Sequence, residues 1–218
     1  MIFDLKQIQN VSAKKIRGAI HVGAFVGEEL LQYRSLGLTN TILFEPQYKL
    51  FEIVKRKCIL GERVFNIALG SENKQAEMFI SDRAGGVDNG AGASSSILEP
   101  KHHLIEHPEV TFPDKETINI NRFDYFIENT IAEPPIVLPD YNFLNIDVQG
   151  YELEVLKGFG EHLSQIDIII CEVNRLEMYK NCPLQNEITN FLQKNNMAHA
   201  YTHWQSEGWG DSIYIRNN

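Results

Sequence analysis

Short apolar runs of β type recur along this chain, separated by stretches with the period of a helix. That alternation constrains the fold more than any other feature, because it specifies an α/β domain with a mostly parallel sheet. The first run is Ala19-Ile20-His21-Val22, ending at Gly23, and Glu28 to Leu36 then reads as a helix stopped by Gly37. In that helix Leu30, Tyr33 and Leu36 share one side, and Glu28 and Glu29 suit the N-terminal dipole. Thr41 to Phe44 is a second strand, followed by a helix with Phe51, Val54 and Cys58 inward, and Val64 to Leu69 is a third strand closed by Gly70.

The middle is less regular. Ala76 to Ser81 alternates like a strand, and residues 82–116 read as a long loop with a helical hint from Pro100 to Glu106. The Pro134-Pro135 pair and Pro139 mark a surface connection rather than a linker, so one domain over residues 1–218 is expected. Order returns with Phe143 to Asp147, a helix from Tyr151 to Lys157 with Leu153 and Leu156 inward, and the apolar strand Asp167 to Val173. A helix after Pro183 carries Leu184, Ile188, Phe191 and Leu192 inward. Two last strands, Ala198 to Thr202 and Ser212 to Ile215, are expected to be joined by a Gly208-Trp209-Gly210 turn.

Composition narrows the class of partner. The 20 Lys and Arg against 29 Asp and Glu give a formal charge of −9 over 218 residues, which argues against nucleic acid or an anionic membrane as the main partner. No apolar run approaches the ~20 residues of a membrane helix, and Met1 to Gln7 lacks the pattern of a secretory leader, so a cytoplasmic setting is expected. Cys58, Cys171 and Cys182 have neither disulfide nor zinc spacing.

The strongest local signal is the strand-to-helix passage His21-Val22-Gly23-Ala24-Phe25-Val26-Gly27-Glu28, where two glycines allow a tight turn and close approach of a ligand to the backbone. Glu45 ends the next strand, where a carboxylate can accept both hydroxyls of a ribose. The pair reads as a nucleoside cofactor site. The motif lacks the first glycine of a dinucleotide loop, and two glutamates after Gly27 would repel phosphates, so a cationic cofactor such as S-adenosylmethionine fits better than NAD.

Five segments together resemble the FkbM-type family of S-adenosylmethionine-dependent methyltransferases. They are His21 to Glu29, Phe44-Glu45-Pro46, Asn66 to Gly70, Ser94-Ser95-Ser96, and Asn145-Ile146-Asp147-Val148-Gln149-Gly150-Tyr151-Glu152-Leu153-Glu154-Val155-Leu156-Lys157-Gly158. The resemblance implies a Rossmann-like class I methyltransferase fold, a seven-stranded, mostly parallel sheet whose final antiparallel strand Ser212 to Ile215 would supply. It implies that His21, Gly23, Ala24, Gly27, Glu45, Pro46, Asn66, Ala68, Asp147 and Gln149 line the cofactor. His21 stands where many relatives carry a strand-end Asp. For the acceptor, the candidate contacts are Ser95, Ser96, His102, Tyr151 and Asn174, with Asp147, Glu172 or a histidine from the loop as catalytic base.

The expected activity is O-methylation of a small molecule, sugar or polyketide-like acceptor. An NAD-dependent oxidoreductase and an S-adenosylmethionine-binding module without activity are the alternatives. No metal is expected: His102, His103 and His107 lack a third ligand and precede Pro108, and Asp147 and Glu172 leave room for a divalent cation without indicating one. The Gly85 to Ser96 segment is no phosphate loop, because it lacks Gly-Lys-Ser/Thr; the resemblance implies that its Ser94-Ser95-Ser96 end approaches the active site and that its glycine part would serve as a mobile lid. Trp204 and Trp209 either shape an acceptor pocket or close the core.

Overall fold

In a computed structural model, which describes residues 3, 5, 6, 8, 14–130 and 135–217, the apolar runs assemble into one seven-stranded sheet. Its strands are β1 (Ala19–Val22), β2 (Thr41–Phe44), β3 (Glu62–Phe65), β7 (Phe143–Ile146), β8 (Ile168–Asn174), β9 (Met197–Trp204) and β10 (Trp209–Arg216), in the order β3-β2-β1-β7-β8-β10-β9. All neighbours run parallel except β10, which is antiparallel to both β8 and β9. A second sheet, in the order β4-β6-β5, is formed by β4 (Ala68–Leu69), β5 (Lys74–Arg83) and β6 (Val110–Asn121).

The central strands β1, β2, β7 and β8 are buried at every position, as expected of parallel strands covered on both faces. Alternation along β1 sends Ile20 and Val22 to one face and Ala19 to the other. On the first face they meet α4 (Phe123–Asn129), α5 (Glu152–Gly158) and α6 (Gln185–Lys194) through Phe123, Phe126, Val155, Leu156, Ile188 and Leu192. On the second, α1 (Leu30–Ser35) and α2 (Tyr48–Lys57) contribute Leu30, Tyr33 and Val54. Each such buried side chain contributes about 1.5–3 kcal/mol of transfer free energy, which outweighs the low intrinsic stability of these short helices. A short helix, α3 (His103–Glu106), lies beside the second sheet's connection.

Several local expectations are corrected. The run Val64 to Leu69 is two strands in two sheets: Phe65 pairs with Phe44 and Ala68 with Ile120. Between them the Asn66 amide donates to the carbonyls of Glu45 (3.0 Å) and Pro46 (2.8 Å), which draws the chain away from the main sheet. The stretch 82–116 is not one loop, because β5 extends through Arg83 and β6 begins at Val110. Most of β6 is polar, with burial concentrated at Val110, Ile118 and Ile120, so tertiary pairing rather than apolar pattern makes it a strand. Pro113 lies where the β5–β6 register shifts between Ile80 and Asp82, a place that needs no N–H donor.

The first helix begins at Leu30, so Glu28 and Glu29 precede it, and Cys58 follows the end of α2. α4 is an addition that its seven residues, with Phe123 and Phe126 inward, left inconspicuous in the sequence. Trp209 and Gly210 belong to β10, leaving the final turn to residues 205–208. Pro134 and much of the segment Met1 to Gln7 lie outside the described residues. Among the described residues no helix is long and apolar enough to cross a membrane.

Candidate active site

Two adjoining cavities open at the carboxyl ends of the parallel strands, where open α/β sheets bind ligands. The first is lined by Gly23 after β1, Glu45 and Pro46 after β2, Ala68 in β4, and Asp147 and Gln149 after β7. Gly23 has φ +86°, and a Cβ there would lie 1.8 Å from the Asp147 carbonyl oxygen, so only glycine lets the turn pass this close to β7. Next along the turn, Phe25 holds a left-handed φ of 48°, a conformation uncommon for an aromatic residue. Its N–H donates to Glu45 Oε2 at 2.8 Å, and the Gln47 N–H donates to Oε1 at 2.9 Å. Glu45 therefore sits in a backbone cradle. Burial nonetheless pushes its carboxyl up to about 8, outweighing the two backbone hydrogen bonds.

The second cavity shares Asp147, Gln149 and Ala93 with the first. Glu172 at the end of β8, Asp211 in β10, Trp209, Tyr179, Gln205, His103 and His107 complete most of its wall. Its acids are electrostatically unusual. Burial, reinforced by neighbouring carboxylates, holds Glu172 well above the ordinary range and raises Asp211 to about 6. Burial also lowers His103 to about 4, keeping its ring neutral, and its Nδ1 has no hydrogen-bond partner. Across the cavity, Arg83 pairs with Glu109 at 3.2 Å.

The sequence-derived residues divide among three places. Gly23, Glu45, Pro46, Ala68, Asp147 and Gln149 line the first cavity, as do Ser95 and Tyr151, which were expected at the acceptor instead. Glu172 lines the second. The rest lie behind the walls. His21 is buried on the α1 side of the sheet, its Nδ1 3.2 Å from the Tyr33 hydroxyl, so it stands on the far side from the cavity. Ala24 is buried in the core of the second face, and Gly27 packs against Leu30 and Val54. Asn66 holds the turn after β2 through its two carbonyl contacts. The Ser96 hydroxyl donates to the Gln149 carbonyl at 2.7 Å, a supporting role.

His102 points to Glu106 (3.9 Å), and its neighbours His103 and His107 face the cavity in its stead. Asn174 is buried outside both linings, with its amide unpartnered. Trp209 reaches the second cavity, whereas Trp204 packs against the core under the Arg175 guanidinium, 3.7 Å from its ring. Sequence reasoning missed Phe25, Gln47, Met78 and Ile97 in the first cavity, and Tyr179 and Asp211 in the second, while His103 was read only within a histidine cluster that lacks a third metal ligand. Of the missed residues Phe25 carried a signal, its place inside the glycine turn. Among the described residues no three His, Cys, Asp or Glu side chains are gathered closely enough to hold a metal ion.

A parallel sheet in this order, with one antiparallel strand inserted next to its edge and a glycine turn after β1 facing an acid after β2, defines the class I methyltransferase fold. The magnesium protoporphyrin IX methyltransferase of Synechocystis PCC 6803, solved with bound S-adenosylmethionine, superposes with a TM-score of 0.50 at 9% identity, covering 98% of this chain and 76% of that one. A candidate tRNA methyltransferase of Streptococcus pneumoniae gives 0.50 at 8% identity over 100% and 72%. Both likenesses concern the fold alone.

The chain belongs to the methyltransferase FkbM domain family, whose model matches residues 21–198. A curated relative, the 2-O-methyltransferase NoeI of Sinorhizobium fredii, is 32% identical over 114 residues. That match spans 48% of this chain and 44% of the relative, so the chain covers less than half of that protein's length.

Proposed function

We propose that the protein transfers a methyl group from S-adenosylmethionine, held in the first cavity, to a hydroxyl of a small-molecule, sugar or polyketide-like acceptor held in the second. The observation that carries this reading is that the two cavities share Asp147 and Gln149, so donor and acceptor would meet at the end of β7. The residues present suit the donor: the Gly23 turn, possible only without a Cβ, lets the end of β1 pass close to β7 at the mouth of the cavity, and Glu45 presents there a buried carboxyl suited to ribose hydroxyls. When bound, S-adenosylmethionine supplies a sulfonium methyl already activated for in-line displacement.

What the chain adds is orientation, desolvation and a base. Asp147 faces both cavities and is the group placed to receive the acceptor's proton, with Glu172 beside it on β8. Ser95 and Tyr151 border the donor cavity near this junction. The printed activity of the relative, a 2-O-methyltransferase, supports oxygen as the acceptor atom. The acidic balance of −9 favours a small acceptor over nucleic acid.

Thermal unfolding tests the donor. S-adenosylhomocysteine at 100 times its Kd should stabilise the protein by about 2.7 kcal/mol, and NAD should produce no shift. A larger shift with NAD would sink the reading.

A further inference from the structure

Gln149 occupies a left-handed backbone conformation (φ 56°) and is followed by Gly150 at φ 98°. Two consecutive residues of this kind turn the chain sharply after β7 and fold the Gln149 side chain over the ends of β7 and β8. Its Nε2 donates to Asp147 Oδ1 at 2.8 Å and to Glu172 Oε2 at 2.8 Å. Its Oε1 accepts from the Tyr179 hydroxyl at 2.8 Å, and its main-chain carbonyl accepts from Ser96 Oγ at 2.7 Å. One amide thus bridges carboxylates from two neighbouring strands and is itself held at two points. Through that shared nitrogen the Asp147 and Glu172 carboxylates are brought side by side.

The surroundings supply little countercharge. Glu152 from α5 and Asp211 from β10 oppose a further negative charge on Glu172, the Cys171 thiol and Tyr179 hydroxyl beside them are neutral, and the nearest cationic candidates are His21 toward Asp147 and His203 toward Asp211. Across the cavity stand His103 and His107 and the Arg83–Glu109 pair. Among the described residues no lysine or arginine forms an ion pair with Asp147, Glu152, Glu172 or Asp211. A carboxyl buried as Glu172 is, beside a second carboxylate that shares the same amide nitrogen, is disfavoured from ionising.

We propose that Gln149 is a positioning residue for methyl transfer: it clamps Asp147 and Glu172 into a pair that holds one proton on Glu172, leaving Asp147 to take the proton of the acceptor hydroxyl. The proposal rests on the reading of Asp147 as the base. An amide suits this position because its two N–H groups serve two carboxylates at once, whereas a glutamate would add a third acid with no donor to offer. The balance is simple. The acceptor oxygen forms its bond to the methyl carbon as the carbon–sulfur bond breaks, the electron pair stays on sulfur, the hydroxyl proton passes to Asp147, and Asp147 later releases it to water.

The test is a pH titration of the side-chain carboxyl signals of the full chain, labelled with carbon-13 in Asp and Glu, with Glu172→Gln identifying the pair. In the unmodified protein one carboxyl of the pair should keep its proton above pH 7. Gln149→Met removes both donors at similar length and should raise that midpoint by about one pH unit or more. An unchanged midpoint, or two ionised carboxyls at pH 7 in the unmodified protein, overturns the proposal. Should Gln149→Met fail to fold, Tyr179→Phe carries the test: it frees the amide without touching either acid and should move the midpoint upward by less, and no movement overturns the proposal. Repeating the titration with S-adenosylhomocysteine separates the two readings, since failure of that ligand to bind removes the donor assignment and leaves the measured carboxyl behaviour standing.

Discussion

The first cavity is shaped largely by main chain, through the Gly23 turn, the Glu45 cradle of backbone N–H groups and the close pass of β1 against β7. The adjoining cavity is shaped by side chains: carboxylates from β8 and β10, imidazoles from α3 and its end, and Tyr179 and Trp209 as flat walls. The difference teaches what each can tolerate. A site made of backbone resists the addition of a single Cβ, while a site made of side chains can be reshaped by substitution and depends on how its charges are neutralised.

The largest effect should come from Gly23→Val. Its Cβ would overlap the Asp147 carbonyl at 1.8 Å on a backbone that valine cannot adopt, so at least about 3 kcal/mol of stability should be lost together with S-adenosylhomocysteine binding. Denaturant unfolding and calorimetric titration measure both. Near-normal stability would show that the donor cavity is less dependent on its main chain than the geometry requires.

Asp147→Asn should sharpen the contrast from the other side. It keeps the shape of the junction and removes the base, so methyl transfer should fall about 10²–10⁴-fold while affinity for S-adenosylhomocysteine changes by only a few-fold. Full activity in this variant would dismiss Asp147 as base. Single-turnover transfer and equilibrium binding, run side by side, separate the two outcomes.

Smaller still is the expected effect at Glu45. Glu45→Ala should weaken donor binding about 10–100-fold, the equivalent of about 1.5–3 kcal/mol for hydrogen bonds to a charged group. The sign of its pH dependence follows from burial. Because the folded carboxyl lies at about 8 against an ordinary 4.5, its contribution to stability is fully present below about 4.5 and is lost as pH rises through about 8. Ribose hydroxyls favour the ionised acid, so binding of S-adenosylhomocysteine should strengthen by up to about tenfold per unit from pH 6 and level off above 8. Glu45→Gln should flatten that dependence, and an equally steep profile in the variant would remove Glu45 from the site.

The lining of the first cavity was largely legible because its parts recur at the ends of consecutive strands. Gly23, Glu45, Ala68 and Asp147 each follow or end a run that the apolar pattern already located. The errors there have one cause: residues within a motif were carried into the cavity together, although alternation along β1 turns His21 away from it and the start of α1 buries Gly27. The acceptor side was much less legible. Asp211, Tyr179 and His103 are separated from Asp147 by dozens of residues and share no local pattern with it, and β6, which helps frame them, is too polar to announce itself as a strand.

By itself the sequence determined the alternation of elements, the buried central strands and the glycine turn opposite an acid, and so an α/β class with a mostly parallel sheet, because such features depend on local periodicity and backbone freedom; the family came from the resemblance of five segments. Only the tertiary structure decided that Val64 to Leu69 divides between two sheets, that His103 and not His102 faces the acceptor cavity, and that Gln149 joins two carboxylates. These depend on which strand ends come to lie side by side. Strand order, unlike strand propensity, is settled by how whole faces pack.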